Sequence, residues 1–298
     1  MSKPLQQQHP HFRQQAAIGV FDSGLGGLTV LDALRAHLPL EHFLYFADTR
    51  YFPYGDLSQA FLRQRVTSIA REMEKQGIKA LVIACNTATA ASAEAVRQET
   101  GLPIIAMEPG IKPAVALSSN GRIGVMATTH TLHSQRFQKL VDAYAQEVHI
   151  IAQACPGLAE AIEWHGAASS AVGKLLDQYV SPLQQAEVDV VVLGCTHYPW
   201  VSAQILQRLS ASVKAAGTVS TPGNPALTTV RHHILDTGAA VARQLQKRLL
   251  ENSLLRTEGA RPGQSPELRI TTSGDPEYLG AALSRLYGAQ YPVQHWQI

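Results

Sequence analysis

Two apolar runs of strand length each end in a cysteine followed at once by small hydroxyl or amide residues: Val82-Ile83-Ala84-Cys85-Asn86-Thr87-Ala88 and Val192-Leu193-Gly194-Cys195-Thr196-His197-Tyr198. Runs of this kind read as buried strands. The match extends upstream, because Ile18-Gly19-Val20-Phe21 opens the first segment and Ile123-Gly124-Val125-Met126 opens another 105 residues later, while the cysteines lie 110 apart. A near-constant offset predicts an internal duplication. Two similar half-units facing each other across a cleft would bring their strand-end thiols to one ligand from opposite sides. Opposed acid/base groups suit a reaction that inverts a carbon centre.

Between and around these segments, apolar runs alternate with stretches of helical periodicity. Ile18 to Phe21, His42 to Ala47, Ala80 to Ala84 and Pro103 to Met107 are expected strands, with helices at Leu28 to His37 and Ser58 to Gly77. This is a βαβ rhythm and predicts a parallel sheet covered by helices. Lys112-Pro113 breaks it, after which Arg122 to Met126, His149 to Ala152 and Val188 to Leu193 supply a second set of strands. A further break falls at Thr221-Pro222-Gly223-Asn224-Pro225, followed by an expected helix from Leu227 to about Leu250, a strand from Leu268 to Thr272 and a helix from Pro276 to Tyr287. The fold class predicted is α/β: two similar parallel-sheet domains related by pseudo-two-fold symmetry, with the active site in the cleft between them. The first domain takes residues 16–113 plus 225–298, the second takes 114–224, and residues 1–15 form a polar tail.

Composition narrows the function classes. The 25 basic and 23 acidic side chains nearly cancel and form no long run of either sign, so nothing asks for nucleic acid or an anionic membrane. The three cysteines lack a CxxC pair or the density of a disulfide scaffold, which points to a reducing compartment, the cytoplasm. No apolar stretch reaches the ~20 residues that span a bilayer, and the Gln- and His-rich start lacks the apolar core of a signal peptide.

The strand-end loops carry the chemistry. Asp22-Ser23-Gly24-Leu25-Gly26-Gly27 follows the first strand and opens a helix, a place where backbone N–H groups favour a small anion. The dinucleotide pattern GxGxxG fails because position 29 is Thr, and no GxxxxGK[ST] occurs. Asp48-Thr49 with Pro53-Tyr54-Gly55, and Thr128, Thr129 and Thr131, add hydroxyls and amides suited to the oxygens of an amino acid or dicarboxylate, although serines and threonines at helix starts also serve as caps. A thiol at a helix N-terminus gains thiolate character and becomes able to take a proton from carbon. Zinc ligation by Cys85, Cys195 and His197 is a weaker reading because their spacing is not that of a structural site, and Cys155 is assigned to packing.

These segments resemble the glutamate racemase family of the aspartate/glutamate racemase superfamily. The resemblance rests on Gly19 to Gly27, Tyr45 to Thr49 with Phe52 to Gly55, Ala84 to Ala88 and Gly194 to Pro199, with weaker matches at Cys155-Pro156 with Glu163, Leu235 to Gly238 and Thr271 to Asp275. It spans about residues 17 to 288. It implies a cofactor-independent, metal-free isomerase that interconverts L- and D-glutamate for peptidoglycan synthesis. By that resemblance Cys85 deprotonates D-glutamate and Cys195 deprotonates L-glutamate, Asp22 assists the first thiol, and Glu163 and His197 assist or orient the second. Ser23, Asn86, Thr87 and Thr196 hold the α-amino and α-carboxylate groups, while Pro53, Tyr54, Gly55, Thr128 and Thr131 surround the side-chain carboxylate. His130 stands where the family's threonine loop carries glycine, and the stretch from Cys155 to Glu163 departs from the more hydrophobic family version. Expected partners are glutamate, a second copy of the chain in a homodimer, and an activator, UDP-N-acetylmuramoyl-L-alanine, acting near the domain hinge with the tail contributing. Aspartate racemisation, malonate decarboxylation, redox thiol chemistry and a non-enzymatic amino-acid binding module are the rivals. The paired thiols speak against the decarboxylase and the binding module, and their wide separation in sequence speaks against the redox protein.

Overall fold

The computed structural model describes residues 10–215, 231–257, 266–288 and 290–298 of the 298-residue chain. In chain order the elements are α1 (Pro10–Gln15), β1 (Ile18–Asp22), α2 (Leu28–His37), β2 (Phe43–Ala47), α3 (Gln59–Lys75), β3 (Ala80–Ile83), α4 (Asn86–Glu99) and β4 (Ile104–Ala106). They continue with α5 (Ile111–Leu117), β5 (Arg122–Ala127), α6 (Thr129–Leu132), α7 (Gln135–Tyr144), β6 (His149–Ala154), α8 (Leu158–His165), α9 (Ser170–Gln185), β7 (Val190–Gly194), α10 (Ser202–Ala215) and β8 (His233–Leu235). The last are α11 (Gly238–Glu251), β9 (Leu268–Thr272), α12 (Pro276–Tyr287) and β10 (Val293–His295).

The chain divides into two units, Met1–Glu108 with Thr237–Ile298, and Pro109–Asp236. Among the described residues the first unit holds a parallel sheet in the order β10-β9-β2-β1-β3-β4, and the second a parallel sheet in the order β6-β5-β7-β8. The run β2-β1-β3-β4 of the first sheet repeats as β6-β5-β7-β8 in the second. Registers repeat too: Ile18 pairs with Ala80 and Phe43, while Ile123 pairs with Val190 and Ile150. Duplication is therefore visible at the level of individual paired residues, and Cys85 and Cys195 each lie five residues beyond the equivalent register partners Ala80 and Val190.

Both unit boundaries differ from the sequence expectation for a packing reason. Ile111 and Ala114 of α5 are buried with Ile123, Val125, Val190 and Val192 in the second core, so the first crossing precedes Lys112-Pro113. The second crossing comes at Asp236–Thr237, later than residue 224, because His233–Leu235 pairs with Val190–Val192 as an edge strand where a helix from Leu227 was expected. The break at Thr221–Pro225 lies outside the described residues. Of the expected tail, residues 1–9 also lie outside them, while Pro10–Gln15 is helical and the Gln14 carbonyl accepts a hydrogen bond from Lys79 Nζ at 2.6 Å.

Local chemistry explains the elements that carry the site. Helix α3 starts where Ser58 Oγ accepts the Phe61 amide, and it buries Leu62, Val66, Ile69, Ala70 and Met73 on one stripe. Each such large side chain contributes about 1.5–3 kcal/mol by leaving water. The centre of each sheet is apolar on both faces, as β1, β3 and β7 are buried along their whole lengths. Lys79 is fully buried and is compensated by the Glu41 carboxylate, whose other oxygen accepts the Arg256 amide at 3.0 Å.

Candidate active site

In the first unit, the thiol lies at the start of a long helix. Cys85 is the N-cap of α4, and its Sγ accepts the Ala88 amide at 3.4 Å. That amide and the positive end of the helix favour the thiolate. Ser23 Oγ lies 3.6 Å from the same sulfur. Asn86, next in the chain, is 4% exposed, and neither its side-chain nitrogen nor its oxygen has a hydrogen-bond partner. An enclosed amide in that state costs about 1–3 kcal/mol unless a ligand or water satisfies it, so Asn86 is a strong candidate ligand contact.

The glycine loop answers its own anion preference. Asp22 is fully buried and its Oδ2 accepts the Gly24 amide at 3.1 Å and the Gly27 amide at 3.0 Å. Tyr45 Oη donates to the Gly24 carbonyl at 2.7 Å, and a Cβ on Gly27 would lie 2.5 Å from Asp22 Cβ. Only glycine fits there. The small anion expected from outside is thus supplied in part by the chain, and Asp22 shapes the loop that carries Ser23.

The second unit equips its thiol differently. Cys195 is followed by a 3-10 turn, Tyr198–Val201, and not directly by a long helix. Its Sγ lies 3.8 Å from His197 Nδ1, and His197 Nε2 lies 2.6 Å from Glu163 Oε2 on α8. Both members of the His197–Glu163 pair are buried. Burial pushes the imidazole pKa down, but the hydrogen bonds to Cys195 and Glu163 and the carboxylate charge outweigh it, leaving His197 well above its ordinary value. Equivalent strand positions therefore present two thiols with unlike partners, a helix terminus for Cys85 and a carboxylate-backed imidazole for Cys195.

The remaining expected residues fall as follows. Thr87 and Thr196 are buried beside the two cysteines in sequence. Thr128 caps α6, its Oγ1 accepting the Thr131 amide at 3.2 Å and lying 3.0 Å from Thr131 Oγ1. Pro53 and Gly55 are partly exposed, and the peptide Phe52–Pro53 is cis. The Tyr54 side chain is buried and its hydroxyl donates to Asp48 Oδ2 at 2.5 Å, so what this residue can offer a ligand is backbone. Cys155 is buried, donates weakly to the Gln153 carbonyl at 3.4 Å, and is held protonated by burial. It packs as expected. Sequence reasoning passed over Arg65, which donates to both Asp48 oxygens, from Nε at 2.9 Å and Nη2 at 2.7 Å. The signal was available: Arg65 interrupts the buried stripe of α3 between Leu62 and Val66. Among the described residues no three His, Cys, Asp or Glu side chains come together as a metal-ligand set.

Comparison with known proteins places this geometry. The family model for Asp/Glu/hydantoin racemases matches residues 30–234. Glutamate racemases of Pseudomonas paraeruginosa and Ectopseudomonas mendocina are 42% and 43% identical, each over 94% of this chain and over 97% and 98% of their own lengths. A glutamate racemase isoform from Bacillus anthracis superposes with a TM-score of 0.81 at 28% identity, covering 96% of this chain and 98% of its own. The Escherichia coli glutamate racemase, solved with L-glutamate and the activator UDP-MurNAc-Ala, superposes with a TM-score of 0.73 at 29% identity over 94% of this chain and 97% of its own. With a family match across more than half its length and relatives of this identity over nearly all of it, the chain belongs to the Asp/Glu/hydantoin racemase family.

Proposed function

We propose that this chain is a cofactor-independent glutamate racemase in which Cys85 and Cys195 are the two bases, and that the D-glutamate it forms feeds peptidoglycan synthesis. The observation that carries the reading is the pair of thiols at equivalent register positions, each with its own proton partner. One sulfur starts as thiolate and the other as thiol. With L-glutamate, the Cys195 thiolate takes the Cα proton and the Cys85 thiol delivers its proton to the opposite face; with D-glutamate the roles exchange. Each turnover therefore leaves the protonation states swapped.

A Cα proton on a zwitterionic amino acid is far less acidic than a thiol, so the developing carbanion needs fixed donors around the α-carboxylate in a site shielded from water. Ser23, the Asn86 amide, Thr87 and Thr196 fill that role. His197 holds positive charge beside Cys195 and is oriented by Glu163. Asp22 acts through the loop whose amides it accepts. The backbone N–H groups of Tyr54 and Gly55, in the turn that Pro53 shapes, together with Thr128 and Thr131, receive the side-chain carboxylate. Circular dichroism of D- and L-glutamate with the purified protein and no added cofactor tests this. Loss of optical activity from either enantiomer is expected, with aspartate, one methylene shorter, turned over far more slowly. Unchanged signals, or comparable rates on aspartate, would overturn the substrate assignment.

The activator of the Escherichia coli relative leads to a second part of the proposal, that a UDP-linked muramoyl-alanine precursor raises the activity of this chain and that the N-terminal segment contributes. Arg13, partly buried on α1, has an enclosed Nε without a hydrogen-bond partner and offers a cation to a nucleotide diphosphate. Activity of the full chain and of a version lacking residues 1–15 should be measured with and without the precursor. Full activity without it dismisses activation, and unchanged activation after truncation dismisses the tail.

A further inference from the structure

Behind the loop Phe52–Gly55 lies a buried polar chain that neither the two-thiol chemistry nor the α-carboxylate donors use. Asp48 directly follows β2 and is fully buried, and its amide donates to the Asp22 carbonyl at 2.9 Å. Its carboxylate takes the Arg65 fork on both oxygens and the Tyr54 hydroxyl on Oδ2. Arg65, itself 9% exposed, has its remaining Nη1 donor on the Ile298 carbonyl at 2.5 Å and its guanidinium carbon 4.7 Å from the centre of the Tyr51 ring. Tyr51 in turn packs on Phe61 of α3 with centroids 5.3 Å apart, and the Tyr54 ring lies 6.2 Å from that of Phe21 on β1.

The loop is therefore fastened at Tyr51 and again at Tyr54, and both fastenings run to the same guanidinium. A planar, bidentate donor that also covers an aromatic face fixes direction as well as charge, which a lysine ammonium does not. Pro53 and Gly55, beside the second anchor, are partly exposed.

We propose that Arg65 is a positioning residue for substrate binding: through the Asp48 carboxylate and the Tyr54 hydroxyl it fixes the backbone of Phe52–Gly55 that receives the side-chain carboxylate of glutamate. This rests on the racemase reading above. Arg65 touches no reacting atom, so its removal weakens binding and leaves the proton transfers nearly intact. The C-terminal segment belongs to the same device, since Trp296 packs edge-on against Phe46 at 5.3 Å and Ile298 supplies the carbonyl that occupies Nη1.

The test is steady-state racemisation by the full-length wild type, Arg65→Lys and Tyr54→Phe, with the active fraction of each measured by thiol titration. A rise of about tenfold or more in KM for both enantiomers is expected for each variant, with kcat per active site within about threefold of wild type. A merely structural role lowers the active fraction, and with it the rate per total protein, and leaves KM where it was. Should Arg65→Lys fail to fold, Tyr54→Phe, which removes one hydroxyl from the same chain, decides alone. Wild-type-like KM in the folded variants overturns the inference while leaving the racemase reading standing; a wild type that does not racemise glutamate overturns both.

Discussion

Replacing Glu163 with glutamine removes one charge from the buried chain Cys195–His197–Glu163 and almost nothing else. The glutamine carbonyl can still accept from His197 Nε2 across the 2.6 Å contact, so the ring stays in place. What changes is the proton. In the wild type burial opposes the imidazolium, and the Cys195 and Glu163 partners overcome it. Without the carboxylate charge one of the contributions that raise the imidazole pKa is lost and burial counts for more, so the cation beside the Cys195 thiolate is weakened. A hydrogen bond to a charged group is worth about 1.5–3 kcal/mol, which corresponds to a loss of roughly 10- to 150-fold in kcat/KM. The loss must appear equally for L- and D-glutamate, because the equilibrium constant of a racemisation is one and ties the two specificity constants together. Circular dichroism from either enantiomer measures it. Alkylation by iodoacetamide at neutral pH, mapped by mass spectrometry, should slow at Cys195 and be unchanged at Cys85, whose Ala88 and Ser23 contacts are untouched. Stability follows the same proton. A histidine whose folded pKa is raised stabilises fully below its unfolded value of about 6.5 and loses that contribution as pH rises through the folded value. The gap in unfolding free energy between wild type and Glu163→Gln should therefore be widest near pH 6 and close in alkali. A variant that keeps kcat/KM within about twofold and alkylates at the wild-type rate would refute this account of Cys195.

Cys85→Ser and Cys195→Ser should each fold normally and lose nearly all racemisation, because a hydroxyl of similar size is too weak an acid to ionise near neutrality. Either variant turning over near the native rate would remove its thiol from the mechanism. In heavy water at the earliest times, the inverted product should carry deuterium at Cα while recovered substrate carries little, since the abstracting thiol still holds the substrate's own proton. Early label in recovered substrate would point to a single exchanging base. Away from the chemistry, Asp189 accepts from Ser118 Oγ at 2.7 Å, from Ser119 Oγ and its amide, and from the Asn120 amide at 3.1 Å. Burial raises its carboxyl pKa, but these hydrogen bonds outweigh that and leave it below its ordinary value. Asp189→Asn should lose on the order of 2–4 kcal/mol near neutrality, and because a depressed carboxylate stabilises only above its unfolded pKa, that deficit should shrink as pH falls below about 4. A deficit independent of pH in urea titrations would count against the carboxylate as its source.

The sheet centres were legible because a strand buried on both faces must be an apolar run, as in Val190–Gly194. The edges were not. His233–Leu235 and Val293–His295 are three residues each, partly exposed and polar in part, so they carry no pattern of their own and exist through their neighbours. Both cysteines declared themselves through the repeat, yet their difference did not. A helix follows Cys85 at once, whereas Tyr198-Pro199 turns the chain after Cys195, and the imidazole that compensates comes with a carboxylate 34 residues earlier in sequence. Glu163 lies in a stretch that departs from the more hydrophobic family version, and only the position of α8 buries it. The threonine loop shows the same limit from the other side: the residue types suggested ligand contact and capping alike, and Thr128 does cap.

The split composition of the first unit has a consequence for biosynthesis. On the growing chain β2 pairs on one side with β1, while its other edge waits for β9, more than two hundred residues later. The unit that lies between, Pro109–Asp236, is continuous and has all its strands in hand before β9 leaves the ribosome. Domains fold as units when their residues become available, and late, distant strand pairing is slow. The second unit should thus complete first, with the half-built first sheet exposing Phe43–Ala47 as an open edge, the kind of surface that pairs with other chains. Limited proteolysis of stalled nascent chains would find Pro109–Asp236 resistant while the strands ahead of it are still cut. The Cys195 side of the chemistry would be assembled on the ribosome before the Cys85 side, although Cys85 is made first.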